Sequence, residues 1–483
     1  MCSGQRTYGS RAQATDFEHP AKPSGSRLGK PRTRIQSRNR EAIGDADASF
    51  AALSRDHECR AERKCPDDQH TAAQASVKIL HFADLHIGVE NYGKINAETG
   101  LNTRLEDFVK SFDRLIEDAI QESVDLVIFA GDAFKINEPS NTHQRLFAER
   151  ILKLARHEIP VFLLIGNHDQ TNRYGESHAL DIYATLDIPG VWVSGRPQIQ
   201  TLPTRSGPLQ IVSLPHISKS ALMTVDDYAR KTFTEVDRSL VQQVEEILDY
   251  FKNQLNPEIP AILAAHVGVE QARIGSEHSM SIGYGFTIPL GLLTRSEYKY
   301  VALGHIHKHQ ILSQDPPVIY PGSVDRVDFG EEKEEKGYML VEILPEKTNY
   351  RFVALPSRRF ITLEKNLLES ETPTEDLLKG IEKAQVQDAI VRVIYTIQTH
   401  RADEVKSRLL KQALEPAFHA SIRPILEDQD ERIRMPDLAE TEPLHPLKTL
   451  ELYLQRREDL SGLQEALLER AQGLWQELEK REG

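Results

Sequence analysis

Five short apolar runs of this chain each end at side chains whose oxygen or nitrogen atoms could bind a metal ion. In chain order, the residues that follow these runs are Asp84 and His86, Asp132, Asn167 and His168, His266, and His305 and His307. None of the runs ends at cysteine. A single histidine after a strand is usually an ordinary hydrogen-bonded residue, but five successive runs with such endings indicate one shared polar site.

The chemistry of these side chains indicates two divalent ions. Eight candidate donors are too many for one tetrahedral zinc site. They suit two six-coordinate first-row ions that lie about 3.5–4 Å apart and share a carboxylate. Mixed imidazole and carboxylate donors without thiolate favour manganese, with iron or magnesium as alternatives, over calcium. Such an ion pair lowers the pKa of water and stabilises charge on a phosphoryl oxygen, which is chemistry for hydrolysing a phosphate ester.

Alternating strands and helices are predicted to position these residues. The run at 159–165 is short, rich in branched and aromatic residues and followed by Gly166, so it fits a buried strand. Helical spacing over 104–122 and 142–156 separates the first three predicted strands. In an α/β fold built from such crossover units, ligands bind just beyond the carboxyl ends of the strands. The polar residues stand at those ends.

Composition limits the classes of protein to which the chain could belong. The formal net charge is −14, so we expect any nucleic-acid contact to be local or shared with a partner. The three cysteines, Cys2, Cys59 and Cys65, all precede the first predicted strand, so no disulfide framework or thiolate zinc site is predicted in the core. No apolar run approaches the roughly 18 residues of a membrane span, and no secretory signal is recognisable. We expect a cytoplasmic protein.

The chain divides into five predicted parts. Residues 1–76 are rich in Gly, Ser, Pro and Arg without apolar periodicity, which predicts a disordered N-terminal extension. Residues 77–345 are predicted to form the main domain and 346–428 a small α+β domain. Residues 429–446 are acidic and contain proline, as is typical of a linker, and leucines at heptad-like steps predict helices in 447–483. Those helices could pack on their own protein, but their position after a linker favours a groove or coiled coil of a partner.

The order of the motifs, D-x-H, G-D, G-N-H-D, H and G-H-x-H, resembles the calcineurin-like metallophosphoesterase superfamily. The stretches YVALGHIHKHQ and YPGSVDRVDFGEEKEEKGY more narrowly resemble the SbcD branch, the nuclease subunits of bacterial SbcCD repair complexes. The resemblance extends strongly over 77–343, more loosely over the small domain, and not over 1–76. It implies a two-layered mixed β-sandwich flanked by helices, with a small α+β capping domain and a helical C-terminus.

The resemblance also implies a role for each residue of the site. One metal ion would be bound by Asp84, His86, Asp132 and His307, and the other by Asp132, Asn167, His266 and His305. His168 would face the scissile phosphate without binding metal, to steady the transition state or protonate the leaving oxygen. Asp169 would support the loop. Related nucleases often carry a histidine three residues after the bridging aspartate, where this chain has Lys135, which cannot relay protons as imidazole does near pH 7.

Four basic residues on or near these loops are candidates for contacts with DNA phosphates. They are Lys135, Arg104, Arg173 and Lys308. A solvated surface charge is the simpler interpretation of each, because sequence alone does not show which way a side chain points.

The function that the resemblance implies is that of a metal-dependent DNA nuclease, with double-strand exonuclease and single-strand endonuclease activity. Such a nucleoid-associated subunit would work as a homodimer within a heterotetramer. Its helical C-terminus would bind the coiled coil of an SbcC-like SMC-type ATPase. One alternative is a phosphodiesterase or phosphatase acting on small nucleotides or phosphoproteins, which would need neither the capping domain nor the tail. Another is a non-catalytic scaffold for a partner ATPase, which would be expected to lose metal ligands.

Overall fold

The computed structural model describes six segments of the chain: residues 76–170, 177–217, 233–273, 287–427, 446–455 and 462–482. Nearly all of the predicted N-terminal extension, nearly all of the predicted linker and Arg173 lie outside these segments. Among the helices of these segments, none combines the length and the apolarity needed to cross a membrane.

A six-stranded sheet forms the first half of a sandwich. Its strands, from edge to edge, are β14 (Thr348–Ala354), β13 (Gly337–Ile343), β1 (Val77–Phe82), β2 (Leu126–Phe129), β3 (Val161–Leu164) and β4 (Val191–Ser194). The strands β1 to β4 run parallel, and β13 runs antiparallel to both of its neighbours. Consecutive parallel strands need crossover connections, and helices supply the first two. These helices are α1 (Thr103–Gln121) and α2 (Asn141–Arg156), and a short helix α3 (Asp181–Thr185) precedes β4.

A second six-stranded sheet faces the first. Its order is β11 (Gln310–Gln314), β12 (Pro317–Tyr320), β10 (Tyr298–Gly304), β7 (Ala261–His266), β6 (Gly207–Leu214) and β5 (Gln198–Thr204). The four central strands are parallel and both edge strands are antiparallel. Helix α4 (Phe233–Lys252) packs on its outer face. A two-stranded pair, β8 (Gly268–Val269) and β9 (Thr287–Ile288), lies nearby in sequence.

The two sheets pack face to face, because their strands are apolar on both sides. One buried cluster joins side chains such as Ile128 and Phe162 of the first sheet to Ile262 of the second. A separate cluster joins the outer face of the first sheet to α1 and α2, through residues such as Phe112 and Phe147. Strands covered on both faces read as continuous apolar runs, which is why they are recognisable in the sequence. The predicted mixed β-sandwich flanked by helices is confirmed.

A three-stranded parallel sheet follows the sandwich and has its own apolar core. It contains β15 (Phe360–Asn366), β16 (Ile390–Gln398) and β17 (His419–Glu427), connected through α5 (Pro373–Ala384) and α6 (Ser407–Ala413). The predicted boundary at 345/346 is too early, because β14 pairs with β13 along its whole length and so belongs to the first sheet. The periodicity of β14 gives no indication of which sheet it joins.

Two helices end the described chain, α7 (Pro446–Gln455) and α8 (Gln464–Glu482), and they pack against each other. Leu463, Leu467 and Leu474 are exposed on this hairpin. The hairpin is the structural counterpart of the helices predicted in 447–483.

Candidate metal centre

All five strand ends singled out in the sequence meet at one edge of the sandwich. The strands that carry them, β1, β2 and β3 in one sheet and β7 and β10 in the other, run parallel within their sheets. Their carboxyl ends therefore lie together, as expected for a ligand site of an α/β sheet. The eight predicted side chains are brought within reach of one another by this arrangement, although up to 223 positions separate them in the chain.

Asp84, His86 and His307 form one end of the cluster. Each offers a donor atom, and these atoms lie within 4.8 Å of one another. The Nε2 atoms of His86 and His307 are 2.9 Å apart, and all three side chains are buried. Two imidazole nitrogens and a carboxylate that point into one closed space are typical of a metal site.

Asp132 lies between this group and a second one. Its Oδ2 atom is 3.8 Å from His86 Nε2 and 3.4 Å from His266 Nε2. On the far side, Asn167 Oδ1 is 3.0 Å from His266 Nε2 and 2.9 Å from His305 Nδ1. Asp132 therefore lies between the two groups, with Oδ2 near a histidine of each.

His168 stands beside this pair of groups. Its ring packs edge to face on His86 with centroids 4.9 Å apart, and its Nδ1–H donates a 2.8 Å hydrogen bond to the carbonyl oxygen of Lys135. That bond leaves Nε2 as the ring nitrogen available for proton transfer. The backbone N–H of His168 donates to Asp132 Oδ1 at 2.8 Å. The centre thus positions His168 through both its ring and its backbone.

The backbone of the centre is strained. Four of its residues have a positive φ: Asp84 at 52°, His86 at 48°, Asp132 at 64° and His305 at 101°. Such conformations cost about 1–3 kcal/mol each for residues other than glycine and concentrate at functional sites. Gly131, with φ 101°, precedes Asp132, and a Cβ there would collide with the His266 ring and the Gly166 backbone. A glycine is therefore required where β2 turns into the site.

The carboxylate of Asp169 holds this turn. It accepts hydrogen bonds from the backbone N–H groups of Asp132, Ala133 and Gly166 at 2.9, 2.9 and 3.0 Å. Burial, together with the charge of Asp132, raises the pKa of Asp169 to about 7. The interpretation of Asp169 as a loop-supporting residue fits these contacts.

Burial and neighbouring charges shift the pKa values of the donor side chains in opposite directions. Burial opposes a charge on His266 and His307, yet Asp132 beside the first and Glu331 beside the second raise the pKa of both to about 9. Burial raises the pKa of Asp84 to about 6. It lowers the pKa of His305 to about 3 and that of His86 well below its ordinary value. A divalent cation would take the place of the protons on His266 and His307, and the rings of His86 and His305 have pKa values low enough to offer neutral nitrogen donors.

These residues fit divalent first-row ions. The donors are nitrogen and oxygen atoms, no cysteine is among them, and three overlapping groups each satisfy the spacing of a metal site. Among the described residues, the buried Nδ1 atom of His86 has no hydrogen-bond partner. The other ring nitrogen, Nε2, faces Asp132 and His307 and is the atom placed to bind a cation.

The four residues predicted to contact phosphates lie in different environments. Lys135 is partly exposed, and its carbonyl contacts His168. Lys308 is also partly exposed and follows His307 in the sequence. Arg104 is fully buried in α1, where it binds Asp107 at 2.7 Å and lies 3.6 Å from Asp325. The prediction for Arg104 is therefore wrong, because its guanidinium is used inside the protein. Arg173 is not among the described residues.

Two features of the site are missed in the sequence. The charged run 331–336 is a turn between strands, as its composition indicates, but the sequence does not show that Glu331 and Lys336 are buried beside His307. His216 follows β6, and its ring centroid is 6.2 Å from that of His305. The rule that identified the other strand ends would have found His216, since it also follows an apolar run. No comparable signal marks Glu331.

Comparison with known proteins agrees with this geometry. Residues 77–309 match the Calcineurin-like phosphoesterase family, and this part of the chain is a calcineurin-like metallophosphoesterase domain. The resemblance inferred from the motifs is confirmed.

The relatives with similar sequences carry the names of DNA-processing proteins. Over 311 residues the chain is 27% identical to "DNA double-strand break repair protein Mre11" of Archaeoglobus fulgidus. The aligned part is 64% of this chain and 64% of the relative, so the chain spans less than two thirds of that relative's length. It is 28% identical over 302 residues to the SbcD nuclease subunit of Staphylococcus saprophyticus, covering 60% of this chain and 72% of the relative. The SbcD nuclease subunit of Bacillus subtilis is 25% identical over 361 residues, covering 73% of this chain and 87% of the relative.

Proposed function

We propose that the protein is a metal-dependent DNA nuclease that hydrolyses phosphodiesters at a two-metal centre and acts in DNA repair. The observation that carries the proposal is the convergence of five strand ends on one buried set of nitrogen and oxygen donors, with Asp132 between two groups. The names of the relatives supply the substrate class, and double-strand exonuclease and single-strand endonuclease activities are the reactions proposed for the chain.

The chain's own residues have distinct roles in this proposal. Asp84, His86, Asp132 and His307 would hold one ion, and Asp132, Asn167, His266 and His305 the other, with Mn²⁺ as the proposed metal. When bound, the ions supply Lewis acidity toward a phosphoryl oxygen and lower the pKa of water. Most of these donors are buried, which strengthens the electrostatic interactions between them.

His168 is the proposed catalytic residue that does not bind metal. The carbonyl of Lys135 holds its Nδ1–H, so Nε2 can carry a proton toward the leaving oxygen or donate a hydrogen bond to a phosphoryl oxygen. The partly exposed amines of Lys135 and Lys308 are the proposed phosphate contacts, each as a point charge.

The division of the chain that we propose follows the sheets. Residues 77–354 would form the nuclease domain, 360–427 the capping domain and 446–482 the helical segment. The exposed leucines of the α7–α8 hairpin, such as Leu467 and Leu474, support its proposed role as the site for the coiled coil of an SbcC-like SMC-type ATPase.

We further propose a homodimer within the complex. Leu152 on α2 and Ile182 and Leu186 by α3 are large apolar side chains that are 39%, 49% and 63% exposed, and they line one groove. Arg145 and Glu149 at its edge carry opposite charges 3.6 Å apart, so a second copy related by a two-fold axis could meet complementary charges. Light scattering of Ile182→Glu against the unchanged chain tests this proposal. The protein would act in the cytoplasm, in association with the nucleoid.

The proposed function is tested with the full chain, Mn²⁺ and a linear DNA duplex. We expect nucleotide release that requires the metal, stops with chelator, and exceeds turnover of a small diester such as bis(p-nitrophenyl) phosphate. No release from duplex or single-stranded DNA would overturn the proposal. Efficient turnover of the small diester alone would instead favour a phosphodiesterase for small substrates, and failure to bind metal would favour a scaffold.

A further inference from the structure

We propose that Glu331 is a positioning residue for the metal-binding His307, and that contacts with the three-stranded sheet control it through the adjacent Glu332. The inference rests on the proposed two-metal function and assigns a role to residues 326–336, called here the bridging segment. This segment connects β12 to β13 and runs between the metal centre and β15.

The first observation is the contact between Glu331 and His307. Glu331 Oε1 accepts a 2.8 Å hydrogen bond from His307 Nδ1–H, and both side chains are buried. The bond fixes the tautomer of the imidazole and turns Nε2 toward Asp84 and His86. Carboxylates that bind the second nitrogen of a metal-binding histidine orient the ring and increase its basicity.

The second observation is the environment that holds the Glu331 carboxylate in place. Its Oε2 atom lies 2.9 Å from the buried Nζ of Lys336 and accepts a 2.9 Å hydrogen bond from the backbone N–H of Val327. Lys336 Nζ also donates to the carbonyl of His307 at 3.0 Å. A buried ion pair is a weak source of stability, because both charges lose their hydration. Here the pair orients two groups of the same metal-binding residue.

The third observation is the attachment of the bridging segment to the three-stranded sheet. The carboxylate of Glu332 accepts hydrogen bonds from the backbone N–H and the hydroxyl of Thr362 on β15, at 2.9 and 2.6 Å. The Phe329 ring packs edge to face on Phe360 with centroids 5.0 Å apart. Arg326 donates to the carbonyl of Glu331 at 3.2 Å and to the Ser357 hydroxyl at 2.6 Å.

Glu331 ends a short 3-10 helix (Phe329–Glu331) and Glu332 is its C-cap, so these adjacent residues contact opposite sides. Glu331 contacts the metal centre, and Glu332 contacts β15 one peptide unit further on. Displacement of β15 relative to the sandwich would move Glu332 and change the hydrogen bond between Glu331 and His307. Binding of DNA or a partner to the small sheet could thereby alter the affinity of the site for the ion that His307 binds.

The experiment measures Mn²⁺ binding to the full chain by calorimetry and electron paramagnetic resonance, without DNA. In Glu331→Gln, the affinity for one of the two ions is expected to fall by about 10- to 100-fold. The affinity for the other ion should stay near its original value. Thr362→Val keeps the side-chain shape but removes the hydroxyl bonded to Glu332. This variant is expected to lower the affinity for the same ion by about 2- to 30-fold. If Glu331 had a purely structural role, the affinities for both ions and the melting temperature would fall together.

Two matched controls accompany these variants. Glu335→Gln changes an exposed glutamate of the same segment, and Thr396→Val changes a threonine on β16; both should bind Mn²⁺ like the unchanged chain. Unaltered binding in Glu331→Gln would overturn the inference. If Glu331→Gln fails to fold, Thr362→Val is the deciding variant. The inference would be overturned if Thr362→Val bound both ions with the affinities of the unchanged chain.

The same data separate this inference from the proposed function. Two bound ions in a chain that does not cleave DNA would contradict the nuclease proposal, while the variants would still support or overturn the role of Glu331. A chain that binds no Mn²⁺ would overturn both.

Discussion

The backbone N–H of Asp132 donates a 2.9 Å hydrogen bond to the carboxylate of Asp169, a residue 37 positions later in the chain. Asp132 has a φ of 64°, a conformation that the local sequence does not favour. The bond, with those from Ala133 and Gly166 to the same carboxylate, holds the strained turn that points Asp132 into the centre. One buried acid thus positions another.

These hydrogen bonds predict that Asp169 stabilises the fold as well as the shape of the metal centre. Asp169→Ala would leave three buried N–H groups without their acceptor, and we expect a loss of about 2–4 kcal/mol in the free energy of unfolding. Urea denaturation measures it, with Asp403→Ala, an exposed aspartate of the small sheet region, as the control. A loss no larger than that of the control would contradict the account.

For His168, we predict a loss of turnover without a loss of metal. His168→Gln should lower kcat on DNA by about 100- to 1000-fold, because a positioned proton donor contributes in that range, while Mn²⁺ affinity changes little. Single-turnover cleavage and a Mn²⁺ titration measure the two quantities. His400→Ala, at an exposed histidine, should alter neither. If His168→Gln instead released a metal ion and kept the turnover of the loaded protein, His168 would be a ligand.

The affinity for Mn²⁺ should rise with pH. In the metal-free chain, His266 and His307 have pKa values raised to about 9, burial being outweighed by Asp132 and Glu331 respectively. Both imidazoles therefore carry a proton below pH 9, and an ion must displace it from the nitrogen that it binds. Apparent affinity should increase by about tenfold per pH unit for each displaced proton between pH 6 and 9. Calorimetry in buffers of different ionisation enthalpy detects the released protons, and pH-independent binding would contradict the prediction.

The C-terminal hairpin should be required for the ATPase partner and not for metal binding. Changing Leu467 and Leu474 to serine removes exposed apolar contacts without deleting a helix, so the chain should still bind Mn²⁺. Co-purification with an SbcC-like ATPase should drop by at least about tenfold, since apolar anchors dominate such helix-mediated contacts. If the variant still co-purified with the ATPase, the proposed role of the hairpin in binding this partner would be contradicted.

The sequence is most informative where a local pattern determines the structure. Apolar runs covered on both faces predict the central strands, and the strand-end rule predicts the approach of residues as distant as Asp84 and His305. The rule carries no information about contacts between loops, so the sequence predicts the turn at 331–336 but not the buried contact of Glu331 with His307. Arg104 is misassigned for a related reason, since its partner Asp325 is brought to it only by the tertiary fold.

The central claim is that two cations share Asp132, and electron paramagnetic resonance of the Mn²⁺-loaded chain tests it most directly. We predict two ions per chain with the exchange-coupled spectrum of a pair about 3.5–4 Å apart. In Asp132→Asn the coupling should vanish and affinity fall by at least about 100-fold, more than substitution of an outer residue typically costs. One uncoupled ion per chain, or an Asp132→Asn spectrum identical to that of the unchanged chain, would contradict the account.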